Sequence, residues 1–182
     1  MRSQREVIRT IGHGTRTTDD LATVLRSAGV AQVIDVRRYP VGRRQPHFAA
    51  ERLAVDLPAR GIAYETWADE LGGRRDKPPK SFVAHWRTPG FAAYEAYMTQ
   101  TKFKAALAEV ERRADTGEAI ALMCAETLWW QCHRRLIADR LVHDGFAVRH
   151  LMFSAPGWVH LWPQHYTATD AVHGHGKYLN QS

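Results

Sequence analysis

The stretch EAIALMCAETLWWQCHRRLIADRLVHDG, residues Glu118–Gly145, carries the pattern that decides the fold. Its first seven residues, EAIALMC, are mostly apolar and predict a buried β-strand that ends at Cys124. Residues 131–145 place apolar side chains at helical spacing and end at a glycine, which predicts a helix. A buried strand followed closely by a helix is typical of βαβ units and hence of a parallel sheet.

The same alternation of strands and helices runs along the rest of the chain. Further strands are predicted at residues 7–14, 30–36, 62–67 and 146–153, and further helices at residues 17–29, 49–61, 91–100 and 102–115. The pattern predicts one α/β domain over residues 1–182, a three-layer fold whose mainly parallel sheet of about five strands has helices on both faces. Residues 68–90 are rich in Gly, Pro and charge and predict a loop-rich insertion. The tail from residue 154 is aromatic and irregular.

The composition indicates a globular domain with a basic surface. The chain has 182 residues, 45% of them hydrophobic, and a net charge of 25 − 19 = +6. This charge favours an anionic partner, either a small molecule or a nucleic acid, although a solvated basic surface would give the same balance. Without a long apolar run or a secretory signal pattern, we expect a cytoplasmic protein with no membrane contact and reduced thiols. The pattern specifies no cofactor and no oligomeric state.

Polar and reactive side chains follow the ends of the predicted strands. In a parallel sheet the carboxyl ends of the strands open on one edge, where ligands bind. We therefore expect these side chains to converge there. The catalytic candidates, chosen as acid/base or nucleophilic groups, are Asp35, Cys124, Glu126, Cys132 and His133. The substrate-binding candidates, chosen as groups that hold an anion or stack on a base, are His13, Arg37, Arg43, Arg134 and Trp129.

The cysteines and His133 have several interpretations. Cys132 and His133 open the predicted helix, where the positive end of the helix dipole would lower the pKa of a thiol and favour the thiolate. Cys124 and His133 are equally compatible with packing roles in the core. Zinc binding and a Cys124–Cys132 redox pair are further alternatives. However, the spacing C-x7-C-H lacks the paired cysteines of structural zinc sites, and a fourth ligand would have to be His13 or Glu126. We assign no metal from the sequence.

The acidic and aromatic candidates also have structural alternatives. Asp35 can form an ion pair with Arg37 or Arg134 that only fixes loops, at a cost in desolvation. Glu126 can cap a helix or pair with Arg134 instead of acting as a base. Trp129 can cover the core at a loop instead of stacking on a substrate.

Four motifs in a fixed order resemble one bacterial family, known as domain of unknown function 488. They are IGHG followed by TTDDL, DVRRYPVGRRQPHF, LGGRR, and ALMCAETLWWQCHRRLIADRL, and they extend from about Ile11 to Leu151. The chain departs from the family pattern at Gly14, where a small hydroxyl residue is usual, and at Gly42, where a serine is usual. The resemblance implies a compact α/β fold but no established reaction. It marks as signature positions His13, Asp35, Arg37, Arg43, Cys124, Glu126, Cys132, His133 and Arg134.

Two functions of different class fit these residues. The first is an enzyme, a hydrolase or a transferase, that acts on a nucleotide or nucleic acid by acid/base or thiol chemistry at the strand ends. The second is a non-catalytic nucleic-acid-binding module that uses the basic loops and the tryptophans. Binding alone has no need of the two cysteines and His133, so the sequence favours the enzyme.

Overall fold

The computed structural model of the chain describes residues 7–153 and 159–161. They contain a six-stranded sheet with the order β3-β2-β4-β1-β5-β6. Neighbouring strands are parallel except β6, which runs antiparallel to β5. The strands are β1 Val7–Gly12, β2 Gln32–Asp35, β3 Ala63–Thr66, β4 Ile120–Cys124, β5 Ala147–Leu151 and β6 Val159–Leu161. The predicted α/β fold with a mainly parallel sheet is confirmed.

Helices cover both faces of the sheet and divide the core into two halves. They are α1 Thr18–Ser27, α2 Ala50–Asp56, α3 Pro89–Tyr97, α4 Thr101–Asp115 and α5 Arg134–His143. Apolar side chains of α1 and α2 pack with Ala121 and Met123 of β4. Those of α3, α4 and α5 pack with Leu122 and Cys124 of the same strand. Since neighbouring residues of a strand point to opposite faces, this alternation assigns each side chain at the strand ends to one face.

Local signals place the helices beside the strand ends. Thr17 and Thr18 are both possible N-caps of α1, and Thr17 takes the role in a capping box with Asp20. Helix α5 begins at Arg134, three residues later than predicted, because Trp129–Gln131 form a 3₁₀ turn and Cys132 is extended. Cys132 therefore precedes the helix.

The structure bears on two segments that the sequence predicts to be irregular, the insertion after β3 and the tail from residue 154. Residues 67–88 contain no helix or strand. In the tail, which the sequence predicts to be irregular from residue 154, Val159–Leu161 form β6 beside β5. A three-residue strand has no sequence period of its own, so its pairing depends on the free edge of β5. The other tail residues lie outside the described part. No helix among the described residues is long and apolar enough to cross a bilayer.

Candidate functional site

A cleft of about 560 Å³ opens at the carboxyl edge of the parallel strands. Its wall comes from the loops that follow β1, β2 and β4, together with Arg74 from the loop after β3. Four arginines line it, and Glu126 is the acidic residue among the lining side chains. The arginines are Arg37, Arg43, Arg44 and Arg74. The cleft is therefore strongly basic, with a carboxylate in its wall.

Arg37 is held in place by a buried carboxylate. Asp35 is fully buried at the end of β2, and its oxygens accept hydrogen bonds from Nε of Arg37 at 2.9 and 3.0 Å. The Arg37 backbone N–H and Nη2 also donate to it, as does the Tyr64 hydroxyl at 2.6 Å. Burial by itself would lower the pKa of Arg37, and its hydrogen bonds and attraction to Asp35 raise it overall. Asp35 thus lies behind Arg37 rather than on the surface of the cleft.

His13 lies beside Arg37 as a neutral imidazole. Its Nδ1 is 2.9 Å from the Gly14 carbonyl oxygen, so Nδ1 carries the proton and Nε2 accepts from Nη1 of Arg37 at 3.2 Å. The ring stacks on Phe48 with centroids 3.9 Å apart. Burial, followed by repulsion from Arg37, lowers the pKa of His13 from 6.5 to about 4. The side chain therefore offers an acceptor nitrogen at neutral pH.

The other three arginines of the cleft are exposed and make no ion pair with any described residue. Arg43 and Arg44 follow Gly42, which has a φ of +64°. A Cβ atom at Gly42 would lie 2.8 Å from the backbone nitrogen of Ala49, so this turn requires glycine. Arg74 itself has a φ of +55°. The exposed Glu126 side chain accepts a hydrogen bond from the Leu128 backbone at 3.2 Å. The guanidinium groups of Arg43, Arg44 and Arg74 are therefore available to bind an anion.

The two cysteines and His133 form a second cluster. The two sulfurs and one imidazole nitrogen all lie within 4.8 Å of one another. Cys132 Sγ is 3.5 Å from Nδ1 of His133, and Nε2 of that ring donates to the Val36 carbonyl oxygen at 2.8 Å. The hydrogen bond to Cys132 and burial raise the pKa of Cys124. Burial alone would raise the pKa of Cys132, but the hydrogen bond with Cys124 and the interactions with His133 and Arg134 lower it overall.

The motifs at the ends of these strands also identify the protein family. Residues 17–141, which include the cleft loops after β2 and the whole thiol cluster, match the family model described as "Domain of unknown function DUF488". The chain belongs to the DUF488 family. Searches of curated proteins and of solved structures found no match.

In this DUF488 domain the candidate residues at the rim of the sheet fall into two clusters rather than one. Phe48, the stacking partner of His13, belongs to the core half under α1 and α2. Cys124 and Cys132 belong to the half under α3, α4 and α5. The two clusters are neighbours along the sheet edge, and the His13 N–H donates to the Cys124 carbonyl oxygen at 3.0 Å. Of the ten predicted site residues, those lining the cleft are His13, Arg37, Arg43 and Glu126.

Arg134 and Trp129, both predicted to bind substrate, are buried outside the cleft lining. The Arg134 guanidinium donates to the Glu126 carbonyl oxygen and, at 3.4 Å, to the Thr10 hydroxyl. Trp129 stacks on His150 with centroids 4.0 Å apart and an interplanar angle of 2°. Both side chains therefore fix the loop between β4 and α5. In the DUF488 domain both residues are thus placed for packing between β4 and α5 and lie outside the cleft lining.

Tyr64 and Phe48 support the cleft, and sequence reasoning missed both. Tyr64 lies on β3 and reaches Asp35 because β3 pairs in parallel with β2. Phe48 lies in the 3₁₀ turn Pro46–Phe48 and reaches His13 across the sheet edge. Both aromatic residues are visible in the sequence, but the polar group that each one contacts depends on strand order and on the path of the loops.

Proposed function

We propose that this DUF488 protein is an enzyme that binds a phosphate-bearing substrate, a nucleotide or nucleic acid, in the arginine cleft. The supporting observation is that four arginines, Arg37, Arg43, Arg44 and Arg74, line one cleft of about 560 Å³. Guanidinium groups bind phosphate oxygens through paired, charge-assisted hydrogen bonds. Arg37 is positioned in advance by Asp35, so it loses little side-chain entropy when an anion binds.

Glu126 is our candidate for the general base in hydrolysis or group transfer. Its side chain is exposed, and it is the acidic residue among the side chains that line the cleft. A carboxylate can accept the proton of an attacking water or hydroxyl, while arginines stabilise the negative charge that grows on the phosphoryl oxygens. The Nε2 atom of His13 accepts a hydrogen bond from Arg37, so His13 helps to hold that guanidinium in the wall of the cleft.

The packing of the four tryptophans that the structure describes favours this enzyme over a nucleic-acid-binding module. Stacking on bases needs free aromatic faces. Arg113 lies 5.1 Å from the ring centroid of Trp67, and Arg135 lies 4.6 Å from that of Trp86. Trp129 stacks on His150, and Trp130 packs edge-on against Trp129. These rings are therefore engaged within the domain.

Neutralising an exposed cleft arginine is expected to weaken anion binding. We expect Arg43→Gln, Arg44→Gln and Arg74→Gln each to raise the dissociation constant for the best-bound compound of a nucleotide and pyrophosphate panel about tenfold. The reason is the loss of a charge-assisted hydrogen bond worth about 1.5 kcal/mol. Isothermal titration calorimetry measures the affinities. Arg26→Gln is the matched control, because Arg26 is exposed at the far end of α1 and does not line the cleft.

Equal weakening in Arg26→Gln and the cleft variants would point to a general charge effect and exclude a specific site. Binding of single-stranded nucleic acid alone, with a steep salt dependence and no turnover, would favour the binding module.

Glu126→Gln is expected to separate chemistry from binding. We expect the variant to keep its affinity for the substrate found in the panel, whereas kcat falls about 100-fold or more because general base catalysis is lost. Steady-state kinetics beside the calorimetry measure both. The matched control is Glu51→Gln, an exposed glutamate of the first turn of α2 that does not line the cleft. An unchanged kcat in Glu126→Gln would remove Glu126 from the mechanism.

A further inference from the structure

The cluster on the other face of the sheet contains three soft ligand atoms that the cleft does not use. Sγ of Cys124, Sγ of Cys132 and a ring nitrogen of His133 lie within 4.8 Å of one another, and Nδ1 is the nitrogen that contacts Cys132. Bonds of about 2.3 Å to sulfur and about 2.0 Å to nitrogen in a tetrahedral zinc site put neighbouring ligand atoms about 3.5–3.8 Å apart. The Cys132–His133 distance of 3.5 Å already has this value.

The His133 ring is oriented as a metal-binding imidazole is. Its Nε2–H donates to the Val36 carbonyl oxygen at 2.8 Å, which leaves the lone pair of Nδ1 on the side of the sulfurs. Metal-bound histidines usually donate their second ring nitrogen to such a group. A Cβ at Gly73 would lie 2.7–3.1 Å from Nδ1, Cγ and Cε1, so the Gly73 backbone packs on the flat face of the ring. The in-plane direction of the lone pair is left free.

The charge around the cluster suits bound thiolates. Arg134 is 1% exposed and has no carboxylate partner among the described residues. Its guanidinium interacts electrostatically with both cysteines. Two thiolates, Arg134 and a univalent ion sum to zero charge, and a divalent ion reaches zero with one anionic exogenous ligand. A buried cation without an acidic partner is costly, so an anionic metal–thiolate group would stabilise it.

We propose that Cys124, Cys132 and His133 bind a thiophilic d10 metal ion, Zn²⁺ or Cu⁺. Two thiolates and one imidazole are a donor set that these ions prefer. His13 and Glu126, the fourth ligands that the sequence suggests, are engaged elsewhere, with Arg37 and with the Leu128 backbone. Within residues 7–153 the site therefore has three protein ligands, which leaves a fourth position for an exogenous one, as in catalytic zinc sites. It is independent of the arginine cleft.

The test is metal binding by the reduced full-length protein after treatment with a chelator. We expect it to bind one equivalent of Zn²⁺ or Cu⁺. Competition with a chromophoric chelator measures the affinity for each ion, and the ion that binds more tightly is the assigned metal. Co²⁺ should give a thiolate-to-cobalt absorption band. Cys124→Ser, Cys132→Ser and His133→Gln should each weaken binding more than about 100-fold. His143→Gln, an exposed histidine at the end of α5, is the matched control and should bind as the wild type does.

A second measurement needs no variant and so does not depend on their folding. The bound ion should protect both thiols of the wild type from alkylation by iodoacetamide, as read by mass spectrometry. Stoichiometric binding with protection at Cys124 and Cys132 supports the site. The proposal is overturned if Co²⁺ gives no thiolate band and if both thiols are still alkylated in the presence of Zn²⁺ and of Cu⁺. It is also overturned if His143→Gln weakens metal binding as much as the cysteine and His133 variants do.

Discussion

Asp35→Asn is expected to lower the free energy of unfolding by about 3–5 kcal/mol. The carboxylate is fully buried and accepts hydrogen bonds from Arg37 and from the Tyr64 hydroxyl. The amide keeps the shape but removes the negative charge, so the Arg37 guanidinium stays buried without compensation. Urea unfolding followed by tryptophan fluorescence measures the change.

Asp56→Asn is the matched control because it makes the same chemical change in an Arg–Asp pair on the surface. Its partner, Arg52, is 64% exposed at the side chain and pairs with it at 3.0 Å within one turn of α2. Such pairs contribute about 0.5 kcal/mol or less. A loss of similar size in the two variants would contradict the role assigned to Asp35 as the support of Arg37.

Asp139→Asn is expected to stabilise the protein at pH 8 by up to about 4 kcal/mol, with little effect near pH 4. Asp139 is 5% exposed on α5, and neither of its oxygens has a hydrogen-bond partner among the described residues. Burial raises its pKa from 3.8 to about 7, although attraction to Arg135 opposes this. The folded protein therefore holds a proton that the unfolded chain releases between pH 3.8 and 7. Stability from this group falls as the pH rises through that window.

The same experiment isolates the opposite contribution of His13. Its pKa is lowered from 6.5 to about 4 in the folded protein, so between these values the unfolded chain binds more protons. Stability from His13 is complete above pH 6.5 and is lost as the pH falls to 4, by about 3 kcal/mol. In the wild type the two slopes oppose each other in this window. In Asp139→Asn the rising slope of His13 should remain.

Urea unfolding at a series of pH values from 4 to 8 measures both contributions. Asp115→Asn, an exposed aspartate at the end of α4, is the control and should follow the wild-type curve. A gain in Asp139→Asn that is the same at pH 4 and at pH 8 would mean that titration of Asp139 is not its cause.

The sequence predicts which types of side chain gather at the sheet edge. It does not predict that these side chains are distributed between the two faces of the sheet. Residues that end parallel strands must lie at one edge, so His13, Asp35 and Cys124 were expected near one another. Each strand also alternates its side chains between two faces, and a one-residue difference at a strand end changes the face. Cys124 therefore lies with α5, whereas the Asp35–Arg37 pair lies with Tyr64 and the cleft.

The sequence by itself determined the α/β class, the parallel strands and the residue types at their ends, because apolar period and helix signals are local properties. The tertiary structure decided which groups pair. Asp35 pairs with Arg37 and not with Arg134, and Cys132 meets Cys124 across the loop that Trp129 and His150 hold. Such pairings depend on strand order and on distances between segments far apart in the chain. Burial, which strengthens each charge interaction, arises only when those segments pack together.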